Sequence, residues 1–262
     1  MNQVCVVTTF QREELLYLCL EAIRRESEYI PIWVFSDHGI ASDELVKTCR
    51  NFDAMIEITN RHEAYGNSRN VITALHAGVV SVESHGVVHS IEDDTILHAG
   101  GQYFEWASNK VGGTDPKYAV ALGRIPGDVL STWYESPCVS WNAARLKQCL
   151  DKVPVGYIRA TTREEMQRLA DDAFPRSRHR YGSAEQDGFF LRCLEFFGWK
   201  SAFPQKSFAS HVGWWGYNRP GGTPPTGTFE QRIAECRRIL RHKQARMELF
   251  GQRITETEMG GM

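Results

Sequence analysis

Three consecutive acids, Glu92-Asp93-Asp94, follow the apolar run Val87-Val88-His89-Ser90-Ile91. Such a run reads as a buried strand, and acids at its end face the crevice beyond the carboxyl edge of a sheet. Carboxylate oxygens there suit a hard divalent cation, and that cation suits a diphosphate. An acid-x-Asp triplet arises by chance about once or twice in a chain this acidic, and a solvated turn has the same composition. The apolar strand ahead of the acids and an apolar, helix-like segment after them favour the site.

The elements that must position these acids alternate along the first half of the chain. Gln3–Thr9, Pro31–Ser36, Asp53–Ile58 and Gly86–Ile91 read as strands. Glu13–Arg25, Asp43–Arg50 (with Ser42 as its N-cap) and Asn67–Val80 read as helices. This alternation predicts an α/β fold with a mixed, mostly parallel sheet flanked by helices. In the second half, Tyr118–Leu122 and Cys138–Trp141 read as strands, and Ala143–Leu150, Arg163–Ala170 and Asp187–Phe197 as helices. A long C-terminal amphipathic helix, Phe229–Phe250, carries Phe229, Ile233, Cys236, Leu240, Met247 and Phe250 in one stripe. Gly221–Gly227 reads as a connector or lid. The 262 residues fit one domain, with a ligand-binding half over 1–98, an acceptor half over 99–228, and the helix and tail over 229–262.

The turn after the first strand is Thr8-Thr9-Phe10-Gln11-Arg12-Glu13. It lacks glycine, so it matches neither the dinucleotide fingerprint nor the phosphate loop. The chain has no G-x-S-x-G elbow and no H-E-x-x-H pair, which argues against α/β-hydrolase and zincin chemistry.

In order along the chain, several segments resemble the GT-A-fold nucleotide-sugar glycosyltransferases. Val4–Arg12 resembles the opening strand and its Thr-x-x-Arg turn beside the nucleotide, which implies donor contacts from Thr8, Thr9 and Arg12. Val34-Phe35-Ser36-Asp37 resembles the second strand, whose closing acid meets the base or ribose. Gly66-Asn67-Ser68-Arg69-Asn70 resembles the Gly…Ala-Arg-Asn helix start, and Ile91–Asp94 the D-x-D site. Glu185-Gln186-Asp187 resembles the Glu-Asp element that carries the base, and His211 the late histidine of the metal site. The resemblance spans roughly residues 3–215 and implies a Rossmann-like GT-A sheet and a UDP-sugar donor.

Sugar transfer builds positive character at the anomeric carbon and negative charge on the leaving diphosphate. Mn²⁺ or Mg²⁺ held by Asp94 and His211, with Glu92 or Asp93 nearby on the donor side, would stabilise that charge. His211 reads equally as a satisfied core histidine. Arg69 at a helix start suits a phosphate, with Asn70 beside it. Asp187 is the candidate general base of an inverting enzyme, and it is equally an acid favoured by a helix N-terminus. Gln186 separates it from Glu185, so the choice between Glu185 and Asp187 stays open.

The segment from His211 to Pro220 places Trp214, Trp215 and Tyr217 close together, and aromatic faces stack on sugars or nucleobases. Arg178 and Arg180 lie in a basic loop ahead of the proposed base. Arg232, Arg237, Arg238, Arg241, Lys243 and Arg246 add a second basic cluster, although such runs are usually solvated faces. Together they permit an anionic acceptor such as DNA with hydroxymethylated bases, extruded and stacked on aromatics. Lipid-linked and protein acceptors fit as well. A nucleotidyltransferase and a non-catalytic carbohydrate- or nucleic-acid-binding protein are the competing readings.

The net charge of −2 gives no global field for nucleic acid. Seven cysteines without a C-x-x-C pair suggest neither a disulfide framework nor a thiolate zinc site. A reducing cytoplasm is the simplest compartment. No apolar run reaches the ~18 residues of a membrane span, and the N-terminal residues read as a strand rather than a secretion signal.

Overall fold

In the computed structural model the described residues are 2–37, 39–59, 67–124, 137–177, 186–212 and 225–241. The β-branched run Gln3–Thr9 forms β1, followed by α1 (Glu13–Glu26), β2 (Ile32–Ser36), α2 (Asp43–Asn51) and β3 (Ala54–Ile58). Then come α3 (Ser68–Ser81), β4 (Val87–Glu92), β5 (Thr95–Leu97), α4 (Tyr103–Val111), β6 (Val120–Leu122) and β7 (Cys138–Asn142). The rest is α5 (Ala143–Leu150), a 3-10 turn (Tyr157–Arg159), α6 (Arg163–Ala173), α7 (Gln186–Phe197), β8 (Ser201–Ala202) and β9 (Ala209–His211). A further helix, α8, covers 229–241 of the described residues. Met247 and Phe250 of its expected stripe lie outside them.

The main sheet has seven strands in the order β3-β2-β1-β4-β7-β6-β8. β1 lies parallel to both β2 and β4, and β2 is parallel to β3. β7 runs antiparallel to β4 and β6, and β8 is parallel to β6. The fold class is therefore the expected one, a mixed and mostly parallel sheet flanked by helices. From β1 the chain moves outward through β2 and β3, then crosses back to place β4 on the other side of β1. The strand order reverses at that point, and ligands of open α/β sheets bind at such a reversal.

The period-2 alternation of the central strands feeds two cores. Cys5, Val7, Ile32, Val34 and Ile91 face α1, α2, α4 and α8, where Leu15, Leu16, Leu45, Phe104, Ile233, Cys236 and Leu240 are buried. Val4, Val6, Phe35, Val88 and Trp141 face α3, α5, α6 and α7, where Val71, Leu75, Leu146, Met166, Phe189 and Phe190 are buried. Gly78 lets α3 sit down on the central strands, because a Cβ there would lie 2.6 Å from Cγ1 of Val88. Ser42 caps α2 as expected, accepting from the Leu45 N–H at 3.1 Å. All seven cysteines are free and buried, and burial pushes the Cys49 and Cys236 thiols up to about 12.

The segment after the acids departs from its helix-like reading. Thr95–Leu97 is a strand, β5, paired antiparallel with β9 in a separate two-stranded sheet. A helix begins only at Tyr103, after Gly100 at φ +69 and Gln102 at φ 56 turn the chain. The β-branched pair Thr95-Ile96 favours the extended form once a partner strand is present.

His89 on β4 is fully buried, its Nδ1 2.6 Å from Ser140 Oγ and its Nε2 3.2 Å from Gln3 Oε1. Burial pushes the imidazole down to about 3. The fold therefore holds it neutral, and the unfolded chain takes up the proton first as pH falls. Its contribution is complete above about pH 6.5 and declines below that by about 1.4 kcal/mol per pH unit toward pH 3. Urea denaturation of wild type and His89→Gln between pH 7.5 and 4.5 should show the variant losing stability less steeply. Parallel curves would contradict this.

Candidate metal and donor site

The ends of β1 and β4 meet at the reversal point. Thr8 pairs with Glu92 across the two strands, and the Asp93 N–H donates to the Thr8 carbonyl at 3.0 Å. The next turn brings the chain back, with Gln11 in the left-handed region at φ 52, a conformation that costs a non-glycine residue about 1–2 kcal/mol. Arg12 follows. Its Nε donates to Asp93 Oδ2 at 3.2 Å, its Nη2 donates to Asp93 Oδ1, and its Nη1 donates to Asp94 Oδ2 at 2.9 Å. The Thr9 hydroxyl donates to Asp93 Oδ2 at 2.6 Å.

The other side of the acidic loop is fixed by main chain. Glu92 N–H donates to the Pro137 carbonyl at 3.0 Å, and Val212 N–H donates to the Asp94 carbonyl at 2.7 Å. Pairing of β5 with β9 sets Thr95 opposite His211 and so brings His211 to the acids. His211 Nε2 lies 3.2 Å from Asp94 Oδ1. Next to it, His98 Nε2 and Ser210 Oγ are 2.8 Å apart.

Among the described residues, one group offers three ligand atoms to a metal ion. Glu92, Asp94 and His211 each present one, all within 4.8 Å of one another. Two carboxylate oxygens and an imidazole nitrogen are an acceptable donor set for Mn²⁺ or Mg²⁺. Adjacent ligands about 2.1 Å from an octahedral ion stand about 3.0 Å apart, close to the Asp94–His211 separation. The residues present therefore fit a divalent cation.

The two buried aspartates differ in their surroundings. Burial raises the Asp94 carboxyl, but the adjacent His211 imidazole and the Arg12 charge outweigh it and hold the group down at about 2. Burial pushes Asp93 up to about 6, against the pull of Arg12 and the Thr9 hydroxyl. Asp93 is 0% exposed and turned into the protein, an internal support rather than a wall of the crevice.

A second group lies at the end of β2. Asp37 is buried, and its N–H donates to the Thr9 carbonyl at 3.1 Å. The Thr59 hydroxyl, with one proton to donate, lies 3.0 Å from Asn70 Oδ1, 3.2 Å from the Ser36 carbonyl and 3.4 Å from Asp37 Oδ1, and Asn70 Nδ2 donates to the Phe35 carbonyl at 3.0 Å. Asp37 and Asn70 thus both stand beside Thr59, a residue that no sequence motif marks.

A third tie joins the starts of α3 and α7. Ser68 Oγ donates to Gln186 Oε1 at 2.8 Å and accepts from the Gln186 N–H at 3.2 Å. Gln186, the residue that separated the two candidate bases, is buried and locks the helix start. Half-buried Asp187 follows it in the first turn of α7, as half-buried Arg69 follows Ser68 on α3. Arg192, one turn further along α7, is buried and pairs with Asp171 of α6 at 2.7 Å.

Glu185, Arg178, Arg180, Trp214, Trp215 and Tyr217 lie outside the described residues. Three residues of the basic cluster expected on the C-terminal helix pair with acids, and Lys243 and Arg246 lie outside the described residues. Arg232 pairs with buried Glu14 at 3.5 Å, Arg237 with Glu21 and Arg238 with Glu235. No helix of the described residues is long and apolar enough to cross a membrane.

The sequence matches no protein-family profile and no curated protein. Its structure is similar to that of the glycosyltransferase GlyE of Streptococcus pneumoniae, at 8% identity and a TM-score of 0.45, covering 78% of this chain and 45% of GlyE. It is similar to the galactosyltransferase LgtC, solved with donor and acceptor sugar analogues, at 11% identity and a TM-score of 0.46, covering 76% and 72%. It is also similar to S. aureus TarS in complex with UDP, at 15% identity and a TM-score of 0.43, covering 65% and 56%. The chain spans less than half of GlyE.

The tie between α3 and α7 is testable. Ser68→Ala leaves a buried amide oxygen and a buried N–H unpaired, a cost of about 1–3 kcal/mol. Urea denaturation should show that loss, with Ser68→Thr recovering part of it. A Ser68→Ala stability equal to wild type would show that the tie contributes nothing.

Proposed function

We propose that this protein is a divalent-metal-dependent glycosyltransferase that moves a sugar from a UDP-sugar to an acceptor hydroxyl with inversion. The convergence of Glu92, Asp94 and His211 where the strand order reverses carries this reading. Diphosphate and cation belong together at such a place, and the α3 start with Arg69 adds N–H donors and a guanidinium for phosphate. Asp37 and Asn70 are buried beside Thr59 and brace the strand end and helix start assigned to the nucleoside.

A divalent ion supplies a Lewis acid for the negative charge that develops on the leaving diphosphate. Glu92, Asp94 and His211 hold it, and Thr8, Thr9 and Arg12 fix the loop that carries the acids. Asp187 takes the proton from the acceptor hydroxyl as its oxygen attacks the anomeric carbon. The Ser68–Gln186 tie joins the start of α7, which carries Asp187, to the start of α3 and supports this role. The aromatic segment after His211 and the loop with Arg178 and Arg180 are the proposed acceptor side. A hydroxymethylated base in DNA is the acceptor to try first, and the cytoplasm is the proposed compartment.

Thermal melts with a panel of nucleotide sugars, each with Mn²⁺ or EDTA, test donor and metal together. A donor at 100 times its Kd adds about 2.7 kcal/mol of stability. A UDP-sugar should shift the melt only with Mn²⁺, and Asp94→Ala should abolish the shift while remaining folded. No shift with any donor would reject the reading.

Asp187→Asn should keep the Mn²⁺-dependent shift and lose transfer, measured as UDP released in the presence of acceptor. Retained transfer would reject Asp187 as the base. Release of pyrophosphate by wild type would instead identify nucleotidyl transfer.

A further inference from the structure

Arg12 makes its described contacts with the acidic loop itself. Its guanidinium grips both oxygens of Asp93 with Nε and Nη2, and its Nη1 holds one oxygen of Asp94, Oδ2. The other oxygen of Asp94, Oδ1, stands 3.2 Å from His211 Nε2. The two oxygens of Asp94 are therefore divided between two tasks, one turned to Arg12 and one to the histidine. A planar guanidinium with donors in a rigid fork can impose such a division, whereas an ammonium cannot. The side chain is only 17% exposed, so the fork is held in place by the fold.

We propose that Arg12 is a positioning residue that makes Asp94 a one-oxygen ligand and aims that oxygen at the cation shared with Glu92 and His211. The proposal rests on the reading of those three residues as a divalent-metal site. It changes the role that the Thr-x-x-Arg resemblance implied for Arg12, from a donor contact to a support of the ligand set. Charge agrees with geometry. Three carboxylates and one guanidinium leave two formal negative charges in the loop, which a divalent ion neutralises. Thr9 supports the same arrangement one step further back, because its hydroxyl fixes the Asp93 carboxylate against which Arg12 is braced.

Positioning and plain charge predict opposite signs, which makes the proposal sharp. If Arg12 acted only as a positive charge competing with the cation, its removal would tighten metal binding. If it aims Asp94, its removal weakens metal binding although the site becomes more negative. Loss of groups that orient metal ligands typically costs 10- to 100-fold in affinity.

The experiment is titration of the full chain with Mn²⁺, following free aquo-Mn²⁺ by electron paramagnetic resonance. Wild type, Arg12→Lys and Arg12→Gln are compared well below their metal-free melting temperatures. Arg12→Gln combined with Asp93→Asn removes the buried carboxylate that Arg12 neutralises, so a folded protein without the fork is available. Both single variants and the double variant should bind Mn²⁺ about 10- to 100-fold more weakly. Saturating Mn²⁺ should restore the donor-induced melting shift in Arg12→Lys. Binding by Arg12→Gln or the double variant as tight as wild type, or tighter, would overturn the positioning role and leave the metal site standing. Absence of Mn²⁺ binding by wild type would overturn the metal site and, with it, this role for Arg12.

Discussion

The contact of Arg12 and Thr9 with Asp93 ties together the two turns that follow the central parallel strands. Those turns leave the sheet where the strand order reverses between the parallel strands β1 and β4, so the crevice between them has no strand to close it. A buried carboxylate bridges the gap and the guanidinium answers it. Removing one partner of such a pair typically costs about 3–5 kcal/mol, because the other charge stays buried. The fold thus places a costly buried ion pair where the acids must be held in a fixed orientation.

The remaining structure can be read outward from that contact. The main-chain bond from Val212 to Asp94 and the β5–β9 pairing deliver His211 to the acids. The Asn70 amide, donating to the Phe35 carbonyl, fixes the start of α3 against the end of β2, and the Ser68–Gln186 pair fixes the start of α7 against α3. The ties span from 35 to 118 residues of sequence, and each ends beside a residue assigned to chemistry. The two apolar cores supply most of the stability, and these polar ties decide where the side chains stand.

The sheet and its helices were legible in the sequence where burial on both faces writes continuous apolar runs, as in Val4–Val7 and Val87–Val88. The strand ends, and hence the positions of Thr9, Asp37 and Glu92, followed from those runs. The β5–β9 pair was not legible. Each strand has three residues, too few to show a period, and their partnership joins residues more than a hundred positions apart. His211 could be assigned only by resemblance, and the pairing shows what carries it to Asp94. Gln186 read as an interruption between two acids because its partner Ser68 lies 118 residues away. Arg12 read as a donor contact through the resemblance of its turn, while its acidic partners come from a turn that the parallel pairing of β1 and β4 brings near. The arginines of α8 looked available because Glu14 and Glu21 sit on a helix far away in sequence.

The central claim is that Glu92, Asp94 and His211 form one cation site at the sheet's reversal point, braced by Arg12. An anomalous difference map from crystals of the full chain grown with Mn²⁺, collected near the manganese edge, tests it most directly. The predicted result is a peak at ligand distance from all three side chains, with Asp94 contributing one oxygen and Arg12 still on the other. A peak at another position, or an Asp94 bound through both oxygens with Arg12 displaced, would contradict the account.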